Sequence, residues 1–215
     1  DGLDWGKGND MQPDYCLHGA CAVVMADGSV AAARDLRVGD YVRSVGPGGV
    51  QAERVEATVE SVLGGREVEM AELGSGLLLT PGHPVLVSSS DGAARLPRSP
   101  RELQQLEQPG AALRWQWRKS RAVGHRRLLP VSSVFNVVLS GRGPLVLRAD
   151  DGRLHVLVST VGQWCRGVDA EPRPTSSSSS QSSPPSSFFG SEQAVADLRN
   201  SAEWPRVVRR GLRGT

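Results

Sequence analysis

Cys16 opens the run Cys16-Leu17-His18-Gly19-Ala20-Cys21-Ala22-Val23-Val24, and a second signature, Leu79-Thr80-Pro81-Gly82-His83-Pro84, follows much later in the chain. A cysteine just ahead of a strand can attack the carbonyl of the residue before it through a five-membered ring. That converts the Tyr15–Cys16 amide into a thioester, and orientation supplies much of the rate because the attack is intramolecular. Two obstacles stand in the way. A thiol of pKa ~8.5 is only a few per cent thiolate at neutral pH, and an amide nitrogen leaves poorly until it is protonated. An imidazole titrating near ~6.5 can hydrogen-bond the scissile amide and donate a proton to the departing amine, which is the task expected of His83. Thr80, three residues earlier, is expected to orient that ring or to add a donor near the developing oxyanion.

Other reactive side chains allow competing chemistries. Cys16, His18 and Cys21 lie close together, and Cys165 or His155 would complete a tetrahedral set. Their spacing fits no standard zinc pattern and no second Cys-x-x-Cys is present, so no metal and no cofactor are expected. Cys21 reads as a small residue facing the core beside the site, or as a second thiol for acyl transfer. Arg114-Trp115-Gln116-Trp117-Arg118-Lys119, then Arg121 and His125-Arg126-Arg127, interleaves aromatics with cations as single-strand nucleic-acid sites do. The whole chain carries 25 basic and 23 acidic residues, a formal charge of +2, so no nucleic-acid partner is expected and the stretch reads as a solvated basic loop.

Four signatures occur in order: the Cys16-Leu17-His18-Gly19 opening, Thr80-x-x-His83, Val134-Phe135-Asn136-Val137-Val138-Leu139, and Phe188-Phe189-Gly190-Ser191 through Asp197-Leu198 to Trp204. With Asp27-Gly28-Ser29 and Asp35-Leu36-Arg37-Val38-Gly39-Asp40-Tyr41-Val42 between them, they resemble the Hint (hedgehog/intein) autoprocessing domains. The resemblance is greatest to the Vint branch, which stands beside von Willebrand A domains. It implies a curved, pseudo-twofold β-fold and makes Cys16 the nucleophile with Thr80 and His83 as its helpers. Tyr15, Cys21, Asn136 and Asp150 are implied to line the site. The implied partner is the upstream part of the same polypeptide, a von Willebrand A domain in that branch. Two histidine positions of the family differ: its "GH" reads Arg142-Gly143 and its "TLGH" reads Thr160-Val161-Gly162-Gln163. Its "GxWxFP" appears as Gly92-Ala93-Ala94-Arg95-Leu96-Pro97 without Trp or Phe, and no His-Asn closes the chain. The first acyl shift is therefore expected and splicing is not.

The elements that must hold these residues read as short strands. Asp27-Gly28 between two apolar runs signals a hairpin, and Gly74-Ser75-Gly76 a tight return into 77–80. Runs at 55–63, 67–73, 133–139, 145–148 and 154–159 are strand-like, the 133–139 and 145–148 runs reading as a pair across Gly141-Arg142-Gly143. Ser99-Pro100-Arg101-Glu102 combines an N-cap, a first-turn proline and a capping-box glutamate, announcing a short inserted helix. Ala194, Val195, Leu198 and Ala202 fall at helical spacing and predict a C-terminal helix. The fold class expected is all-β with those two helices.

The 215 residues are long enough for one core-forming domain with extensions, although hydrophobic residues make up only 39%. The expected division is a flexible upstream segment at 1–15 and a Hint-like β domain at 16–168 with an insert at 92–130. A Ser/Pro-rich disordered linker at 169–187 and a C-terminal helical segment at 188–215 that packs back on the sheet, with 206–215 fraying, complete it. No apolar run approaches the ~20 residues of a membrane span. Three cysteines and no leader in this stretch favour a cytoplasmic setting. Three functions remain open: self-cleavage at Tyr15–Cys16, a Hint scaffold that has lost cleavage and acts as an interaction module, and a nucleic-acid-binding module.

Overall fold

A computed structural model describes residues 15–46, 49–90, 93–96, 114–152, 154–163 and 192–210. The upstream segment apart from Tyr15, the helix expected over 99–108, the Ser/Pro linker, Phe188, Phe189 and Cys165 lie outside them. The described chain is all-β, thirteen strands with a single α-helix. No described helix is long and apolar enough to cross a membrane.

The organising strand is β5 (Gly49–Gly74), whose first residues pair with β4 (Tyr41–Gly46) and whose remainder pairs antiparallel with β10 (His125–Leu139). The two runs expected at 55–63 and 67–73 are thus parts of one strand, continuous through Gly64 and Gly65, whose positive φ values of 68° and 77° let the backbone pass without a break. β5 turns at Gly74-Ser75-Gly76 into β6 (Leu77–Leu79). β2 (Ala22–Val24) and β3 (Val30–Ala32) form the Asp27-Gly28 hairpin. β7 (Pro84–Ser90) holds β8 (Ala93–Arg95), β9 (Arg114–Lys119) and β12 (His155–Val158).

One expected pairing fails. β10 and β11 (Leu145–Arg148) do not pair across Gly141-Arg142-Gly143; β11 instead joins β12, β2 and β4. The cause is the buried Glu53 carboxylate, which accepts the N–H groups of Gly141 (2.8 Å) and Gly143 (3.3 Å), with Arg142 between them at φ +56°. Those contacts swing the chain away from β10 in place of a hairpin.

The core is built from alternating apolar positions. Leu17, Val23, Leu77, Leu79, Leu139, Leu145 and Leu147 are fully buried in the principal cluster. A second cluster receives α1 (Glu192–Arg199), whose Ala194, Val195 and Leu198 meet Val59, Val138 and Val161, with Trp204 alongside. Residues 206–210, expected to fray, form β13 (Arg206–Arg210), parallel to β5 at Thr58–Val62.

β1 (Leu17–His18) is only two residues long, yet it places everything that follows. Leu17 sits opposite Phe135 of β10 on one side and Leu79 of β6 on the other. Extending that antiparallel register by one residue sets Cys16 against Asn136 on one flank and Thr80 on the other. Gly19 is needed for the turn that follows, because a Cβ there would come within 2.8 Å of the Phe135 ring.

Candidate active site

The register of β1 brings four buried side chains, Cys16, Thr80, His83 and Asn136, to one peptide bond, Tyr15–Cys16. Tyr15 itself has φ +69°, the left-handed region that a tyrosine occupies only at a cost of about 1–3 kcal/mol. Strain therefore sits on the residue whose carbonyl would be attacked.

Each atom of that peptide has a partner. The Asn136 side-chain amide donates Nδ2–H to the Tyr15 carbonyl oxygen at 2.5 Å, and its own Oδ1 accepts the Val137 N–H at 2.8 Å, which fixes the amide plane. The Cys16 N–H donates to Thr80 Oγ1 at 2.8 Å, and Thr80 N–H returns to the Cys16 carbonyl at 2.9 Å. The Thr80 hydroxyl thus lies on the nitrogen side of the bond, rather than on the imidazole or the Tyr15 oxygen. Its own carbonyl accepts the His83 N–H at 2.9 Å, so Thr80 positions His83 through the main chain.

His83 is fully buried, its ring lying edge-on to the Tyr15 ring at 6.5 Å between centroids. Nε2–H donates to the Ser159 carbonyl at 3.2 Å, which selects the tautomer with a lone pair on Nδ1, and Nδ1 has no hydrogen-bond partner. Burial lowers the ring's pKa to about 4, against the backbone of Ser159, Cys16 and Tyr15, which favours the charged form. At neutral pH His83 is therefore a neutral base next to the Tyr15–Cys16 backbone.

Two residues that sequence reasoning did not single out complete the support. Ser120, fully buried, donates Oγ–H to the Thr80 carbonyl at 2.7 Å and N–H to the His83 carbonyl at 2.8 Å, clamping the Thr80-Pro81-Gly82-His83 turn. Ser159 supplies the carbonyl that holds Nε2. Neither belongs to a motif, and neither carried a signal in the sequence beyond its polar character near a strand end.

Other candidates lie apart from the peptide bond. Cys21 is fully buried in the principal core, donates Sγ–H to the Leu78 carbonyl at 3.2 Å, and burial raises its pKa to about 12. Asp150 packs its carboxylate against Gly76 and ties its N–H to the Ser75 carbonyl at the β5–β6 turn. Among the described residues no three His, Cys, Asp or Glu side chains are grouped to hold a metal ion. In the basic stretch, Arg126 pairs with Glu69 and Arg127 with Glu72 (3.0 Å) across β5 and β10, so part of its charge is met within the sheet.

The Vint family, described as a Hint-domain, matches residues 15–108, a span that opens at Tyr15 and contains Cys16, Thr80 and His83. Over those residues the chain is similar to Hint domains. No curated protein matches it. Among solved structures it is similar to the Ssp DnaB mini-intein variant M86, with 16% identity over 71% of this chain and 99% of that one, at a TM-score of 0.45. It is also similar to the DnaB intein from Synechocystis sp. PCC 6803, with 16% identity over 67% and 98% at a TM-score of 0.41. A bacterial intein-like domain from Clostridium thermocellum shares 19% identity over 66% and 98% at a TM-score of 0.40.

Proposed function

We propose that this domain cleaves its own Tyr15–Cys16 bond through an N–S acyl shift. The observation that carries the reading is the Asn136 amide on the Tyr15 carbonyl oxygen, at a peptide bond that joins a residue in ring contact with the neutral His83 to a residue with a buried thiol. Cys16 Sγ bonds to the Tyr15 carbonyl carbon while its proton passes to His83 Nδ1. Asn136 Nδ2–H, already aimed at the oxygen, stabilises the oxyanion of the tetrahedral intermediate. Negative charge on that oxygen raises the proton affinity of the adjacent ring, which offsets its depressed pKa. The carbon–nitrogen bond then breaks, and His83 returns the proton to the Cys16 nitrogen, whose N–H Thr80 Oγ1 had held in place. Relief of the Tyr15 backbone drives the same direction.

The shift alone is near balance, so net cleavage requires water or an external nucleophile to attack the thioester, releasing the segment that ends at Tyr15 and regenerating the Cys16 thiol. In the Vint branch, which the chain resembles, a von Willebrand A domain lies on that upstream side.

The test is expression with an N-terminal tag, followed by intact-mass measurement with and without a strong thiol. A thiol-dependent fragment ending at Tyr15 is expected. Cys16→Ala should abolish it and His83→Ala should slow it by roughly 10²–10⁴-fold. An intact chain after prolonged thiol treatment removes the proposal and leaves a folded Hint scaffold.

A further inference from the structure

The turn at 159–163 supplies the carbonyl on His83 Nε2, and it is itself held from the far side of the molecule. Ser159 is anchored by its N–H to the Pro84 carbonyl at 3.1 Å and presents its own carbonyl to His83 Nε2. The next residue, Thr160, is buried, and its hydroxyl donates to the Gly143 carbonyl at 3.0 Å. Gly143 is fixed in turn by Glu53, whose carboxylate is 3% exposed and also accepts Ser44 Oγ–H and Gln51 Nε2–H, each at 2.9 Å. Gln163 closes the turn locally, its Oε1 accepting the Thr160 N–H at 3.3 Å while its N–H meets the Thr160 carbonyl at 3.1 Å. Val161 N–H reaches the Val137 carbonyl at 3.0 Å, next to Asn136.

The two positions at which this chain lacks the family histidines therefore lie in one network. A Cβ on Gly143 would come within 2.1 Å of Ser44 Oγ and 2.3 Å of Glu53 Oε1, so the Glu53–Ser44 pair fills the space a side chain there would need. Gln163 spends its side chain on the turn.

We propose that Thr160, backed by Glu53 through Gly143, is the positioning residue that holds the Ser159 carbonyl on His83 Nε2 and so keeps the Nδ1 lone pair turned toward the Tyr15–Cys16 bond. A carbonyl on Nε2 requires hydrogen there and so leaves the lone pair on Nδ1. If the carbonyl moves, the proton is free to relocate to Nδ1, and the ring then presents an N–H where the reaction needs a base. This rests on the proposed role of His83, but the tautomer can be read without any cleavage.

The experiment has two arms. In the uncleavable Cys16→Ala chain, nitrogen-15 NMR of the ring reports which nitrogen of His83 bears hydrogen, and Thr160→Val removes the hydroxyl at almost constant shape. Nε2–H is expected in the parent, a mixture of tautomers in Thr160→Val, and recovery in Thr160→Ser. In the Cys16 chain, thiol-induced cleavage should fall about 10- to 100-fold in Thr160→Val and return in Thr160→Ser. Glu53→Gln should change the tautomer in the same direction. An unchanged ring in Thr160→Val overturns the proposal, whether or not the rate falls. A changed ring with an unchanged rate upholds the positioning and instead removes His83 from the reaction.

Discussion

Replacing Asn136 by alanine tests the oxyanion contact directly. Asn136 is 2% exposed, so no bulk water takes the place of its amide, and its donor lies 2.5 Å from the Tyr15 oxygen before any reaction begins. Against a neutral carbonyl that bond is ordinary. As the carbonyl gains charge, the bond becomes charge-assisted and about twice as strong. Loss of one such preorganised donor costs about 2.7–4 kcal/mol of barrier, or roughly 10²–10³ in rate. The same truncation strands the buried Val137 N–H that Asn136 Oδ1 accepts, at a cost of about 1–3 kcal/mol in stability. The two effects separate by experiment. Single-turnover cleavage at saturating thiol, followed by mass spectrometry well below the melting temperature of each variant, reads the barrier, and urea unfolding reads the stability. Asn136→Asp keeps the acceptor for Val137 but sets a carboxylate beside the oxyanion, so it should react at least as slowly while losing less stability. A folded Asn136→Ala that cleaves at the wild-type rate would refute the oxyanion role.

Three further outcomes follow from the geometry. His83 titrates near 4 when folded against an ordinary 6.5, so between those values the unfolded chain binds the extra proton, and stability should fall as pH drops through that window. The loss should total roughly 3 kcal/mol by pH 4 and be absent in His83→Gln; burial lowers His18 and His155 too, in the same sense. Gly143→Ala should destabilise the fold by about 1–3 kcal/mol in denaturant titration, because the new methyl group collides with Ser44 and Glu53. Cys21, with a pKa of about 12 and no exposure, should resist alkylation in the native protein at pH 8, and Cys21→Ala should leave the cleavage rate unchanged; a slowed reaction would reinstate it as a second thiol.

The parts of the fold legible in the sequence were those written in local chemistry. Asp27-Gly28 and Gly74-Ser75-Gly76 declare their turns because their backbone conformations demand those residues, and Ala194, Val195 and Leu198 declare α1 by spacing. The β10–β11 connection was misread because its path depends on Glu53, a residue 88 positions from Gly141, whose burial no local pattern records. The tail at 206–210 was misread for a related reason: Arg206-Val207-Val208-Arg209-Arg210 looks solvated, and only the open edge of β5 gives it a partner. Within the site, Cys16, Thr80 and His83 announced themselves by type and order. Thr80's place on the Cys16 nitrogen, and the aim of Asn136 at the Tyr15 oxygen, follow from the register of a two-residue strand. Ser120 and Ser159 act through a hydroxyl and a main-chain carbonyl brought in by distant pairing, which residue type alone does not encode.

Hydroxylamine captures a thioester at Tyr15 directly. Incubating the chain at neutral pH with hydroxylamine and no thiol should yield a fragment whose last residue, Tyr15, carries a C-terminal hydroxamate, together with a partner beginning at Cys16, and neither should form from Cys16→Ala. A chain that stays whole under hydroxylamine, or one that breaks equally well without the Cys16 thiol, would contradict the acyl shift.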